Sequence, residues 1–301
     1  MKFIQLLPMA PLCLLIACGG NSANIPATTV TPPLAGPGKP AINEAGGLPA
    51  KYQLVWSDEF NQAGLPDASK WAYDTMRNKQ GWYNEEKQYY ANARAKNSRL
   101  VDGNLVIEVH KEKLDAAQFD DYGDQNYTSA RLSSSGKASW KYGFFEIKAK
   151  LPCGRGTWPA IWTLSSQPYT NWPDDGEIDI MEHVGFDEGV VHGSVHTKAY
   201  YHQINTHMTS TTKPGDVCGQ FHRYQMTWTA DRITVGIDDK NFFQFSNDGA
   251  NNRHTWPFNR PQHLLLNVAV GGTWGGMKGI DDAVYPVKME VDYVRVYQLP
   301  Q

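Results

Sequence analysis

"DDGEIDIMEHVG", residues 174–185, sets Glu177, Asp179 and Glu182 in a run whose other members Ile178, Ile180 and Met181 are apolar. Such a run, opened by Gly176, suits a buried β-strand. Side chains alternate across a strand, so Glu177 and Asp179 point to one face. Glu182 follows Glu177 by five residues, and strict alternation sends it to the other face. One inserted residue at about Ile180 or Met181, a β-bulge, returns it to the face of the other two. The spacing therefore predicts a bulged strand with three acids on one side. Crowded carboxylates repel unless protons are retained, which raises the pKa of at least one. An ionised carboxylate beside a protonated one is the pair that cleaves a glycosidic bond.

The surrounding sequence reads as further strands. "NLVIEVH", "FFEIKAKL", "VVHGSVHT", "HRYQMTWT", "ITVGIDD", "HLLLNVAVGG" and "KMEVDYVRVY" are short β-branched and aromatic runs separated by Gly, Asp and Asn. No long amphipathic helix intervenes. In "YGFFEIKAKL", Phe145, Ile147, Ala149 and Leu151 share one face, and Glu146, Lys148 and Lys150 share the other. Met226–Trp228 and Ile233–Val235 flank "TADR", a hairpin turn. With no fixed-period repeat, an all-β, two-sheet sandwich is expected rather than a propeller.

The chain has 301 residues and a formal net charge of -3. That charge offers no basic field for phosphates, so nucleic acid is not an expected partner. Its 10 Trp and 15 Tyr exceed the needs of one core. Surplus tryptophan tends to line clefts, where an indole face packs on the C–H face of a sugar while polar neighbours take the hydroxyls.

The start of the chain, "MKFIQLLPMAPLCLLIAC", has Lys2 and then an apolar stretch broken by Pro8 and Pro11, too short for a membrane span. Residues 1–17 read as a signal peptide. Leu15-Ile16-Ala17-Cys18 resembles a bacterial lipobox, which implies lipidation at Cys18 and an anchor without a spanning helix. Residues 18–50, rich in Pro, Gly, Ala and Thr, read as a flexible linker, and the folded domain is expected over residues 51–301. The protein is expected to be exported, either lipid-anchored to the bacterial cell envelope at the outer membrane or cell surface, or secreted, and to be a monomer. An oxidising compartment permits a disulfide between Cys153 and Cys218; two separately buried thiols are the alternative.

Around the acids, "GTWPAIW" precedes the strand and "HGSVH" follows it. Together with "VWSDEF", "NEEKQYY", "YTSARL", "YGFFEIKAKLPCGRGTWPAIW", "NVAVGGTWGG" and "VDYVRVYQ", they make nearly the whole domain resemble family 16 of the glycoside hydrolases. The six-residue E-x-D-x-x-E is similar to that of its laminarinase, agarase and carrageenase branches. The resemblance implies a concave β-jelly-roll and a retaining double displacement. Glu177 matches the nucleophile, Asp179 the middle acid that tunes it, and Glu182 the acid/base; retention wants the working carboxyls about 5 Å apart.

Other positions follow by the same resemblance. Trp158 and Trp162 match residues that pack on sugar rings. Both are expected to face the cleft only where their strand is irregular, with Trp162 the readier to be core. Arg131 and Asn84 match binders of sugar hydroxyls, although Ala130 and Glu85 depart from the usual neighbours. His196 matches a histidine near the acid/base, and Trp274 in "GGTWGG" could reach the cleft edge from a glycine loop. Glu59, the Gly103 carbonyl and Asp292 resemble a structural calcium site away from catalysis; solvated acids without metal are the alternative. No cofactor is expected in catalysis. The expected reaction is endo-hydrolysis of β-1,3-linkages in a β-glucan such as laminarin. Endo-β-1,3-1,4-glucanase, agarase or porphyranase activity, transglycosylation and a non-catalytic glycan-binding sandwich are the alternatives.

Overall fold

The computed structural model describes residues 46–300; the expected signal peptide, Cys18 and most of the expected linker lie outside them. The described strands begin with β1 (Gln53–Asp58), β2 (Ala72–Tyr73), β3 (Gln88–Tyr90), β4 (Ser98–Val101), β5 (Asn104–Lys111) and β6 (Tyr127–Ser129). Then come β7 (Arg131–Ser133), β8 (Gly143–Lys150), β9 (Thr157–Ser165), β10 (Glu177–His183), β11 (Val191–His196) and β12 (Met208–Thr212). The last five are β13 (His222–Trp228), β14 (Arg232–Ile237), β15 (Lys240–Ser246), β16 (Gln262–Val270) and β17 (Val287–Gln298). Helical structure among the described residues is confined to three single 3-10 turns.

Two sheets result. A 10-stranded sheet runs β15-β14-β13-β8-β17-β5-β6-β3, with β1 added to β17 and β4 to β5. A 7-stranded sheet runs β12-β11-β10-β9-β16-β7-β2. The pairings are antiparallel except that β3 runs parallel to β6.

Alternation stacks one sheet on the other. From the first sheet Phe145, Ile147, Tyr224, Met226, Ile233, Val294 and Val296 point inward, and from the second Ile161, Ile178, Val195, Leu264, Leu266 and Val268 meet them. Each such side chain contributes about 1.5–3 kcal/mol through its removal from water. The β13–β14 hairpin turns through Thr229–Asp231, where the Thr229 hydroxyl accepts from the Arg232 N–H. This is the family-type jelly roll, and the outer face of the 7-stranded sheet carries the cleft.

Cys153 and Cys218 form a disulfide across 65 residues, tying the loop after β8 to the loop before β13. Next to it the backbone is tightly packed. The Thr157 hydroxyl donates to the Gly154 carbonyl at 2.9 Å, and the Gly185 N–H donates to the Thr157 carbonyl at 2.9 Å. A Cβ on Gly185 would collide with the Gly154 carbonyl.

Candidate active site

The bulge sits in β10. Against β9, Asp179 pairs with Trp162 and Met181 with Ile161, leaving Ile180 as an extra residue. Against β11, Asp179 pairs with Ser194 and Glu182 with His192, so Ile180 and Met181 together oppose Gly193. Both bulge residues are fully buried in the core. Their shared inward direction is the parity change that puts Glu182 on the cleft face with Glu177 and Asp179.

Two indoles hold the outer acids. Trp158 Nε1 donates to Glu182 Oε1 at 3.1 Å, and Trp172 Nε1 donates to Glu177 Oε2 at 2.7 Å. Trp172 lies on the loop before β10, which folds around buried Asp175. That carboxylate accepts from the Asn171 N–H at 2.9 Å and pairs with Arg253 and Arg260. Asp179, 2 % exposed, sits between the two glutamates. His196 Nε2 lies 3.3 Å from Asp179 Oδ2 and 3.8 Å from Glu177 Oε1.

Burial pushes all three carboxyls up. Glu177 rises to about 8, first through desolvation and then through the charge of Asp179; the Trp172 hydrogen bond and His196 oppose the rise. Asp179 rises to about 7 through desolvation, offset by a hydrogen bond with Glu177. Glu182 is pushed well above its ordinary value by burial, then by the charge of Asp179 and, less, of Glu177. The three carboxyls act on one another, the charge of Asp179 raising both glutamates, so each holds its proton to higher pH than an ordinary carboxyl. Around neutrality the trio therefore offers a carboxylate pair open to ionisation next to a carboxylic acid.

The other expected positions fall in several places. Trp158 and Trp162 share the cleft face of β9, whose pairing with β16 is unbroken from Thr157 to Ser165. A spacing of four keeps two side chains on one face of a regular strand, so the irregularity expected there is not needed. Trp162, matched to a sugar-packing position with a core place as the alternative, is half-buried, donates to Asn267 Oδ1 at 2.7 Å, and lies under the Arg131 guanidinium at 4.7 Å. Trp82 contacts the same guanidinium at 5.1 Å, and Asp74 pairs with it at 3.1 Å. Asn84 turns a left-handed residue at φ 55 and accepts the Thr273 N–H through its carbonyl. That contact brings the glycine loop to the cleft, where Trp274 meets Trp158 edge-on at 5.2 Å and His192 at 4.8 Å. Gly275 is required there, because a Cβ would fall 2.9 Å from that of Trp158.

His196 faces Glu177 and Asp179, whereas the histidine paired across from Glu182 is His192. His196 also acts on Glu182, whose rise it opposes, and His192 is a second histidine beside the site that sequence reasoning missed. Alternation on β11 could have found His192, since it lies four residues before His196 on the same face. Trp172 carried no such signal, because it reaches the site through a loop. Glu86 was also missed: it accepts from Gln88 Nε2 at 2.9 Å, and burial raises its pKa against the pull of Gln88, Arg131 and Asn84.

The expected cation residues lie on or beside the 10-stranded sheet. Asp292 is the extra residue where β17 shifts register against β8. β5 leaves β17 at Val291, and β1 pairs with it again from Val294. Glu59 follows the end of β1, and Gly103 turns the β4–β5 hairpin. Oxygen donors of this kind suit a hard cation. Lys148 pairs with Asp292 at 2.7 Å and Arg295 with Glu59 at 2.8 Å, so a cation would compete with both.

Comparison with known proteins gives the same frame. The family model described as glycosyl hydrolases family 16 matches residues 85–295. A β-glucanase of Rhodothermus marinus is 49% identical over 255 residues, covering 82% of this chain and 85% of its own. The solved structure of the laminarinase from Rhodothermus marinus superposes with TM-score 0.77 and 48% identity, covering 83% of this chain and 98% of that one. SCLam, a non-specific endo-β-1,3(4)-glucanase, superposes with TM-score 0.83 and 54% identity, covering 86% of this chain and 95% of that one. On the jelly roll, the bulged acid strand and the match across most of its length, the chain belongs to family 16 of the glycosyl hydrolases.

Proposed function

We propose that the protein hydrolyses internal β-1,3-linkages of a β-glucan by retaining double displacement. The observation that carries the proposal is the β10 bulge, which turns three carboxylates to one cleft face. Glu177, ionised, attacks the anomeric carbon while Glu182 gives its proton to the leaving glycosidic oxygen. A glycosyl ester with Glu177 results. Glu182, now a carboxylate, takes a proton from water as that water attacks the anomeric carbon, and both groups return to their starting states. Asp179 holds the proton balance of Glu177 through their shared hydrogen bond. The Trp172 indole N–H lowers the cost of charge on Glu177, and Trp158 and Trp274 offer ring faces for sugar. No cofactor enters this scheme, since these carboxyls carry every proton.

Release of reducing ends from laminarin by the wild type but not by Glu177→Gln is the expected result; equal release by both would defeat the hydrolase reading. Cleavage of mixed-linkage β-1,3-1,4-glucan is a second reading, supported by the 54% identity to SCLam, a non-specific endo-β-1,3(4)-glucanase. Parallel digestion of the two polymers, with sizing of the products, separates them.

At the β17 junction, a calcium ion bound by Glu59, the Gly103 carbonyl and Asp292 would serve stability. Chelation is expected to lower the melting temperature by on the order of 5 °C, with recovery on adding calcium; an unchanged value removes the ion from the account. Export with lipidation of Cys18 is supported by the lipobox-like sequence, and among the described residues no helix is long and apolar enough to cross a membrane. Cys18→Ser is expected to move the protein from the membrane fraction to the soluble one.

A further inference from the structure

We infer that Glu177, Asp179 and His196 form a binding site for a late first-row divalent cation such as zinc, and that its occupation switches the cleft off. The three donor atoms lie within 4.8 Å of one another. His196 Nε2 stands 3.3 Å from Asp179 Oδ2 and 3.8 Å from Glu177 Oε1. Ligands held at about 2.0 Å from a tetrahedral zinc lie roughly 3.3 Å apart, so one edge is already formed and a second closes by a small movement of Glu177.

The available valences point the same way. Trp172 occupies Glu177 Oε2, leaving Oε1 toward the histidine. Asp179 is 2 % exposed, and its Oδ2 has no hydrogen-bond partner among the described residues. A buried carboxylate oxygen without a donor is costly, and a cation at this point would satisfy it. Glu177 is half-buried on the cleft face, which gives the ion an entry path and leaves a fourth position for water. The mixed imidazole and carboxylate set selects zinc or copper over magnesium or calcium, which prefer oxygen alone. His196 Nδ1 has no acceptor among the described residues. The outer hydrogen bond that strengthens metal-bound histidines is absent, so the site is weak and reversible.

Occupation ties up the Glu177 lone pair that the proposed reaction needs. Inhibition thus rests on that reading, whereas binding does not. Calorimetry with zinc chloride on the wild-type protein is expected to show one site per chain. His196→Gln and Asp179→Asn are each expected to weaken binding at least about tenfold. His202→Ala and His207→Ala, which change histidines that only pack near His196, are expected to bind zinc as the wild type does. Anomalous diffraction at the zinc edge from wild-type crystals soaked in zinc chloride tests the position without any variant. Zinc seated between the three side chains is expected. Zinc found elsewhere, or affinity unchanged in His196→Gln, overturns the inference. Zinc, but not magnesium, is expected to stop laminarin hydrolysis, with recovery on adding chelator. A protein that binds zinc here yet cleaves no laminarin would refute the glucanase reading alone.

Discussion

Glu177 is held by two opposed influences: burial and the charge of Asp179 push its proton affinity up, and the Trp172 indole N–H pulls it down. Replacing that indole with a ring lacking a donor removes only the second. Trp172→Phe is therefore expected to move the acidic limb of the activity profile to higher pH by about 0.5–1 unit, the worth of one hydrogen bond; the check is kcat/KM on laminarin measured across pH. A group whose folded pKa is raised costs nothing below its ordinary range, and its cost is complete above the folded value. For Glu177 that window runs from the ordinary glutamate range, 4.5, to about 8. Glu177→Gln is thus expected to raise the melting temperature at pH 8 by about 2–4 °C, on the order of 1 kcal/mol after allowing for the partial exposure of the side chain, and to leave it unchanged at pH 4. Scanning calorimetry at the two pH values is the measurement.

β10 shows how far a sequence can be read at the scale of an element. Its acids lie at odd and then even positions, while apolar residues fill Ile178, Ile180 and Met181. Only one extra residue reconciles the two patterns, so the bulge was legible. The inward run of β8 was legible for the same reason, and so was the absence of long helices. Contacts made by loops were not. Trp172 reaches Glu177 through a segment ordered by Asp175, Arg253 and Arg260, which lie far apart in sequence. No local period announces such a meeting. The spacing of Trp158 and Trp162 was read as needing a break in β9, although four is an even number and a regular strand already puts both on one face. The same parity yields an experiment. Deletion of Ile180 makes β10 a regular strand and leaves Glu182 on the cleft face, so a folded protein with measurable activity is expected. Insertion of one Ala after Met181, with the Ile180–Met181 bulge kept, turns Glu182 inward, where its carboxyl is buried without a partner at a cost of about 2–5 kcal/mol. Loss of both activity and a cooperative melt is expected for the insertion; a well-folded, active insertion variant would show that β10 shifts register freely.

Across the whole domain, Cys153–Cys218 closes a loop of 65 residues that contains β9, β10, β11 and β12. Cross-linking a loop of that length removes freedom chiefly from the unfolded chain, by about 4 kcal/mol. The Cys153→Ser, Cys218→Ser double variant is expected to melt on the order of 5–10 °C lower, as thermal unfolding with and without reductant would show. Such a bridge persists in an oxidising compartment. The disulfide also bears on Glu182. Cys153 adjoins Gly154, Gly154 touches Gly185, and Gly185 lies three residues beyond Glu182. The covalent link is thus anchored close to the strand end that carries Glu182, where two backbones meet too closely for any side chain to separate them. Slack introduced at the thiols would reach the reacting oxygen before it reached the hydrophobic interior, and loss of turnover would then be an earlier symptom of ageing in this molecule than loss of shape.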